Sequence, residues 1–168
     1  MVNFAVGCLV VALLGAGAGW ITGPEKSTGT QNPKGDEAMT LQQKYLLATV
    51  RDDEESWLQV IDHSSENRGY EYWQAKQSLG FWYLNQSRFI ECRAIFKEFA
   101  QFESSNPQRA VIGHAGLASL AHRSGRYGQS QKIIDEQVAP LRHLLTPQMQ
   151  KRLDLVKRVN LEFLQTLD

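Results

Sequence analysis

The chain begins with an apolar run over residues 4–21 that contains no charged side chain, FAVGCLVVALLGAGAGWI. With a rise of about 1.5 Å per residue, a helix of this length approaches the bilayer core, which is ~30 Å thick. Trp20 stands at the end of the run, where an amphipathic ring favours the membrane–water interface. The pattern therefore predicts a single transmembrane helix over residues 4–21.

A cleaved signal peptide is the alternative interpretation of the same run. The stretch Ala16-Gly17-Ala18 resembles a small-residue cleavage site and would place cleavage near Ala18. The first residues, Met1-Val2-Asn3, lack the Lys or Arg that a signal peptide usually carries ahead of its apolar stretch. This absence favours a retained anchor over a cleaved signal.

Small residues recur on one face of the predicted span, at Gly15, Gly19 and Gly23. Small side chains let a second transmembrane helix approach closely, because lipid supplies no hydrophobic force that holds helices together. The glycines therefore predict packing against another membrane protein subunit. A second interpretation stays open, in which they only belong to a signal cleavage region.

Residues 22–38 are polar and rich in Gly, Pro, Ser and Thr, with the sequence GPEKSTGTQNPKGDE over most of their length. Such a segment cannot bury enough apolar surface to fold, so it predicts a flexible tether. Lys26 and Lys34 would favour a cytoplasmic domain by the positive-inside rule. A short tail before an uncleaved span favours export instead, and the balance leans slightly to the exported side.

Residues 39–168 repeat apolar positions at helical spacing, and no stretch alternates in a sustained strand pattern. Thr40 and the pair Thr146-Pro147 are typical of helix starts, and the acidic residues 52–55 suit a helix N-terminus. The fold class predicted is therefore all-α. The last helix carries apolar residues at three-four spacing: Met149, Leu153, Val156, Val159, Phe163 and Leu167.

Two segments of this helical region align with each other, with Gly80 and Ala118 at equivalent positions 38 residues apart. Ser87 in the first unit stands where the second has the turn glycine Gly125. The first unit has Leu79-Gly80, Tyr83, Phe89, Cys92 and Phe96, and the second has Leu117-Ala118, Ala121, Tyr127, Ser130 and Ile134.

These units resemble the tetratricopeptide repeat (TPR), over roughly residues 73–140. The resemblance implies a short α-solenoid of about three helical hairpins, with residues 39–66 as a degenerate leading pair and a C-terminal capping helix. It also implies a concave groove that holds a partner. The Lys, Asn and Arg positions of the family's peptide-carboxylate clamp are mostly not matched, so that clamp is not expected.

The inward positions of the resemblance supply the predicted partner-binding groove. Aromatic anchors are typical of such grooves, which favours Phe81, whereas Trp73 and Trp82 are expected to pack against the leading helices. The predicted groove residues are Phe81, Leu84, Asn85, Ser119, His122 and Arg123.

Composition narrows the candidate chemistry. The sequence has 18 Lys plus Arg and 18 Asp plus Glu, so it lacks the basic excess expected of a nucleic-acid-binding protein. The two cysteines, Cys8 and Cys92, are expected to be free thiols, and Cys92 to be a core residue. No motif predicts a metal, a cofactor or a catalytic residue, and the histidines are expected at surface or groove positions. The glycines 113, 116, 125 and 128 are interpreted as packing and turn residues.

The sequence thus predicts a membrane-anchored protein–protein interaction module, an accessory subunit, adaptor or assembly factor of a larger membrane complex. Its partners would be other membrane subunits and, through residues 4–21, the lipid bilayer. The alternatives are an exported soluble binding module after cleavage near Ala18, and an enzyme using His122 and Arg123 beside an acid.

Overall fold

The computed structural model describes residues 39–166, and these residues are all-α, without a strand. None of their helices is long and apolar enough to cross a bilayer. The predicted span 4–21 with its glycines and the tether 22–38 lie outside the described residues. The helices are α1 (Leu41–Arg51), α2 (Glu54–His63), α3 (Tyr70–Asn85), α4 (Phe89–Ala100), α5 (Pro107–Arg123), α6 (Tyr127–Ile133) and α7 (Pro147–Gln165), with a π-helical turn (Ile134–Val138) and a 3-10 helix (Ala139–Leu144) after α6.

Polar side chains cap the helix starts that the sequence predicted. Thr40 and Gln43 form a reciprocal capping box at α1. Thr146, the residue before Pro147, accepts from the Met149 backbone N–H in the first turn of α7. Asp53 caps α2 by accepting from the Ser56 backbone N–H at 2.7 Å. Each cap pairs a backbone donor that the helix itself leaves without a partner.

The helices pack in chain order as three hairpins, α1–α2, α3–α4 and α5–α6, with α7 against α5 and α6. Phe96 of α4 lies at the centre and is fully buried. A Cβ atom added at Gly116 would stand 2.3 Å from its ring, and one added at Gly80 2.9 Å. Gly113 meets the α4 backbone directly, since its added Cβ would lie 2.4 Å from the Ala100 nitrogen. These glycines are packing residues, as predicted, because a side chain there would push α3 or α5 away from α4.

The turns of the second and third hairpins have the same conformation. Ser87 and Gly125 both adopt left-handed backbone angles, with φ of 60° and 71°. The next backbone N–H groups, of Arg88 and Arg126, each bond 2.9 Å to a carbonyl five residues back. The structure therefore confirms the 38-residue spacing. Ser87 occupies the glycine position in a conformation that non-glycine residues adopt at a cost.

A polar contact ties α2 to the second hairpin. The Tyr83 hydroxyl donates to Glu54 Oε1 at 2.8 Å, and Arg88 donates to Glu54 Oε2 at 2.5 Å. The Tyr83 hydrogen bond, followed by that of Arg88, lowers the pKa of the Glu54 carboxyl. Burial, together with the Glu54 carboxylate, raises the pKa of Tyr83 to about 12, so the phenol stays protonated and donates at neutral pH.

Candidate partner-binding cleft

The main candidate site is a cleft between α3, α5 and α7 that encloses about 350 Å³. Phe81, Met149 and Leu153 give it an apolar lining, and Phe81 is held in place by Phe96, whose ring centroid lies 4.9 Å away. The remaining lining is mostly small or polar: Gln77, Ala115, Ser119, Thr146, Gln148 and Arg152. Because α7 and its N-cap residue Thr146 supply five of the nine lining residues, the cleft exists only when α7 is docked.

A second, smaller cleft of about 160 Å³ lies between α3 and α5 and shares Gln77 with the first. Its floor includes Trp73, which is buried against Phe99 and Phe102 with ring centroids 5.3 and 5.1 Å away. The Arg109 guanidinium stacks on the Trp73 ring, 3.9 Å from its centroid. Amide side chains complete the polar lining: Gln74, Asn106 and Gln108.

The charges of the two clefts have one sign. Arg109 and Arg152 are their charged lining residues, and neither lining contains an Asp or a Glu. Within residues 39–166, neither arginine forms an ion pair. Burial lowers the pKa of Arg109, but the guanidinium remains a cation at neutral pH. The paired clefts therefore present positive charge beside uncharged amides and an apolar floor.

This arrangement suits recognition of a polypeptide segment. Amide side chains both donate and accept, so Gln74, Gln77 and Gln108 can pair with a peptide backbone in either direction. Guanidinium groups pair with carboxylates, often through two parallel hydrogen bonds. The apolar surface of Phe81 and Met149 can hold an apolar side chain, and buried aromatic anchors contribute strongly to binding.

The predicted groove residues divide in the structure. Phe81 and Ser119 line the main cleft together. Asn85 and Arg123 are exposed at the last positions of α3 and α5, outside both cleft linings. Leu84 was wrongly expected to offer groove surface: it is 7 % exposed and belongs to the hydrophobic core. Burial of the apolar Leu84 side chain is favourable because it removes apolar surface from water. Helical spacing alone did not show whether Leu84 lies on the core-facing or the groove-facing side of α3.

His122 is held by α7 rather than facing the cleft. The Ser130 hydroxyl donates to the Ala118 carbonyl at 2.9 Å, so it accepts from Asn160 Nδ2, also at 2.9 Å. Asn160 Oδ1 then faces His122 Nδ1 at 2.7 Å, and this oxygen can only accept. His122 Nδ1 therefore carries a proton, and the chain of hydrogen bonds fixes both the Asn160 orientation and the His122 tautomer.

Two further positions bear on the candidate chemistry. His114 was expected at a surface or groove position, but it is 6 % exposed, with Nε2 2.9 Å from Glu103 Oε1. The close packing of α5 on α4 buries this ring. Cys92 is fully buried as expected, and burial raises the pKa of its thiol to about 12. Across residues 39–166, no group of three His, Cys, Asp or Glu side chains is arranged to hold a metal ion.

Sequence reasoning missed the contribution of α7 and of the first turn of α5. Met149 and Leu153 were recognised as apolar positions, but nothing in their spacing indicated that they face α3. Arg152 and Arg109 looked like ordinary surface cations. The only available signal was the lack of an acidic residue three or four positions away on the same helix for either arginine.

No protein-family model matches the chain, and neither the curated proteins nor the solved structures contain a significant match.

Proposed function

We propose that this chain is a membrane-anchored protein–protein interaction module, acting as an accessory subunit, adaptor or assembly factor of a larger membrane complex. The observation that carries the proposal is the preformed double cleft of α3, α5 and α7, with Phe81 and Ser119 on its wall. A site with an apolar floor and convergent polar groups is typical of ligand and peptide recognition.

The repeat geometry supports a TPR-like solenoid as the scaffold. Two hairpins follow each other at 38-residue spacing, share a left-handed turn and are preceded by a further hairpin, α1–α2. Stacked hairpins of this kind create extended surfaces that bind segments of other proteins. Helix α7 closes the array, which is the role of a capping helix.

In the proposed mechanism, residues 4–21 hold the protein in the bilayer. Gly15 and Gly19, continued by Gly23 just beyond this run, pack against a partner helix. Residues 22–38 act as the tether. The cleft then takes a segment of a partner, with its backbone on the glutamine amides, an apolar side chain on Phe81, and a carboxylate near Arg109 or Arg152.

The test is affinity purification of the full-length protein from detergent-solubilised native membranes, followed by mass spectrometry. A stoichiometric membrane complex is expected. The cleft variant combines Ser119→Tyr, which fills the cleft, with Arg152→Glu, which reverses its charge. We expect the amount of partner retained by this variant to fall about tenfold or more, because most of the binding free energy of an interface comes from a few central residues.

The matched control is Arg158→Glu, which changes the same residue type on the same helix but lies outside both clefts. It should retain the partner at the wild-type level. Equal retention by the cleft variant and the control would reject the cleft as the binding site. Recovery of a soluble protein that lacks its first eighteen residues would instead favour the exported binding module.

A further inference from the structure

Two other surface depressions occupy equivalent places in successive hairpins. The first lies between α2 and Trp82 of α3, and the second lies between α4, α5 and α6 beside Leu120. Trp82 and Leu120 are 38 residues apart, the spacing of the repeat. Helix α2 packs on α3 as α4 packs on α5. A shift of one repeat therefore carries the first depression onto the second, which places both on the same side of the helical stack.

The first depression, the acidic hollow, has one charge sign. Its charged lining residues are Asp53, Glu54, Glu55 and Asp62, around the apolar surface of Leu58 and Trp82. Glu54 is engaged by Tyr83 and Arg88. Glu55 and Asp62 are exposed, lie two helical turns apart on α2, and form no ion pair within residues 39–166.

The second depression, the cationic groove, has the opposite sign. Arg93, Lys97 and Arg126 are its charged lining residues, and its floor is apolar, with Leu117 and Ile133 partly accessible. All three cations are exposed, and none pairs with an acid among the described residues. Other cations of the same fold do pair: Arg142 with Asp154, and Lys157 with Asp135.

We propose that these two surfaces pair the protein with a second copy of itself, the acidic hollow of each copy docking on the cationic groove of the other. The two charge signs belong to one chain of zero formal net charge, and each surface combines unpaired charges with an accessible apolar floor. Because one chain carries both the acidic hollow and the cationic groove, a second copy of the same chain can neutralise the charges of both surfaces.

The placement of the two surfaces fits a two-fold dimer. In such a dimer one surface patch meets the same patch of the partner copy, so residue i contacts j and j contacts i. A two-fold axis in the plane of the interface, running between hollow and groove, brings both opposite-charge contacts together at once. Leu58 and Trp82 of one copy then cover Leu117 and Ile133 of the other, which removes apolar surface from water.

The test uses the full-length chain in a mild nonionic detergent, with sedimentation velocity as the measurement. A dimer is expected at about 0.05 M salt, and its dissociation constant should rise at least tenfold by about 0.5 M, because salt screens exposed charges. The cation-reversed variant (Arg93→Glu with Lys97→Glu) and the acid-reversed variant (Glu55→Lys with Asp62→Lys) should each be monomeric alone. Mixed together, they should form a one-to-one dimer, since each then meets opposite charge.

The control is Lys151→Glu with Arg158→Glu at exposed α7 positions outside both surfaces. It makes the same change in net charge as the cation-reversed variant. This variant should dimerise like the wild type, and thermal unfolding followed by circular dichroism should be alike for all variants. A monomeric wild type, a dimer that survives either reversal, or a mixture that stays monomeric would each overturn the proposal. None of these results bears on partner retention by the cleft, which a separate experiment measures.

Discussion

The hairpins α3–α4 and α5–α6 share one backbone design but are filled with different side chains. Each turn has a left-handed residue at the equivalent position, Ser87 or Gly125, and the same pattern of backbone hydrogen bonds. The hairpin α3–α4 is packed with aromatic rings, such as Tyr83 and Phe96. At the equivalent positions α5–α6 has Ala121 and Ile134. The hairpin α3–α4 therefore forms the interior of the stack, and the smaller residues of α5–α6 accommodate the neighbouring helices.

The difference is sharpest at the equivalent residues Cys92 and Ser130, which are both fully buried. Cys92 packs as a small apolar group in the core. Ser130 instead accepts from Asn160 of α7 and donates to Ala118. The last hairpin of the stack must hold α7, and Ser130 provides a hydrogen bond to α7 at the position where the preceding hairpin has the apolar Cys92.

The largest expected effect comes from the joint between the two hairpins. Gly116→Ala would place a Cβ atom 2.3 Å from the Phe96 ring, which is enclosed on all sides. We expect a loss of about 3 kcal/mol in the free energy of unfolding, because an overpacked core must shift backbone or force poor rotamers. Urea denaturation of the helical domain, followed by circular dichroism, measures this loss.

Gly128→Ala is the matched control, because the nearest atom to its added Cβ is a Leu164 methyl 3.9 Å away. It should be neutral or stabilise by about 0.5 kcal/mol, since alanine favours helix more than glycine does. Similar losses in both variants would mean that helix propensity, rather than the contact between the hairpins, sets the response.

An intermediate effect is expected where the hairpin α5–α6 holds α7. Asn160→Ala removes one buried and one part-buried hydrogen bond and leaves Ser130 and His122 without this partner, which should cost about 2 kcal/mol. Ser130→Ala should couple with it, so that the double variant loses less than the sum of the single losses by at least ~0.5 kcal/mol.

The hairpin α3–α4 supplies the comparison, because Cys92→Ala removes the equivalent side chain without touching α7. Its loss should add to that of Asn160→Ala in a double-mutant cycle monitored by urea denaturation. Coupling of equal size at both positions would contradict the view that Ser130 of the hairpin α5–α6, and not Cys92 of α3–α4, is linked to α7.

The smallest effects belong to the turns. Gly125→Ala should destabilise by about 1 kcal/mol, because alanine disfavours left-handed angles although no atom lies within 4 Å of its added Cβ. Ser87→Gly should stabilise by a few tenths of a kcal/mol, since it relieves the same strain but loosens the unfolded chain. Thermal unfolding of the two variants measures both; a stabilising Gly125→Ala would show that the turns differ.

Local signals in the sequence were sufficient for much of the fold. Thr40 and Thr146-Pro147 mark helix starts because capping depends on residues only two or three positions away. The 38-residue spacing identified the shared turn, including Ser87 in place of glycine. The small residues Gly80, Gly113 and Gly116 were correctly interpreted as points of close packing.

The candidate site was harder to predict because its walls come from distant parts of the chain. Phe81 and Ser119 followed from the inward positions of the repeat resemblance. The same positions also predicted His122, but its partner Asn160 lies 38 residues further along and could not be foreseen. Leu84 failed for a related reason: helical spacing places a side chain on an angular sector, and only the packing of neighbouring helices decides whether that sector is covered. Arg109 and Arg152 line the clefts only because α5 and α7 pack near α3, and this packing could not be predicted from the sequence.

The use of α7 as a cleft wall also sets an order of events during synthesis. Translation delivers α3 and α5 first, and Met149, Arg152 and Leu153 leave the ribosome only afterwards. A nascent chain therefore carries an open, incomplete cleft until α7 folds back onto α5 and α6. The partner binding proposed for this cleft would in that way be limited to chains whose helical array is already closed.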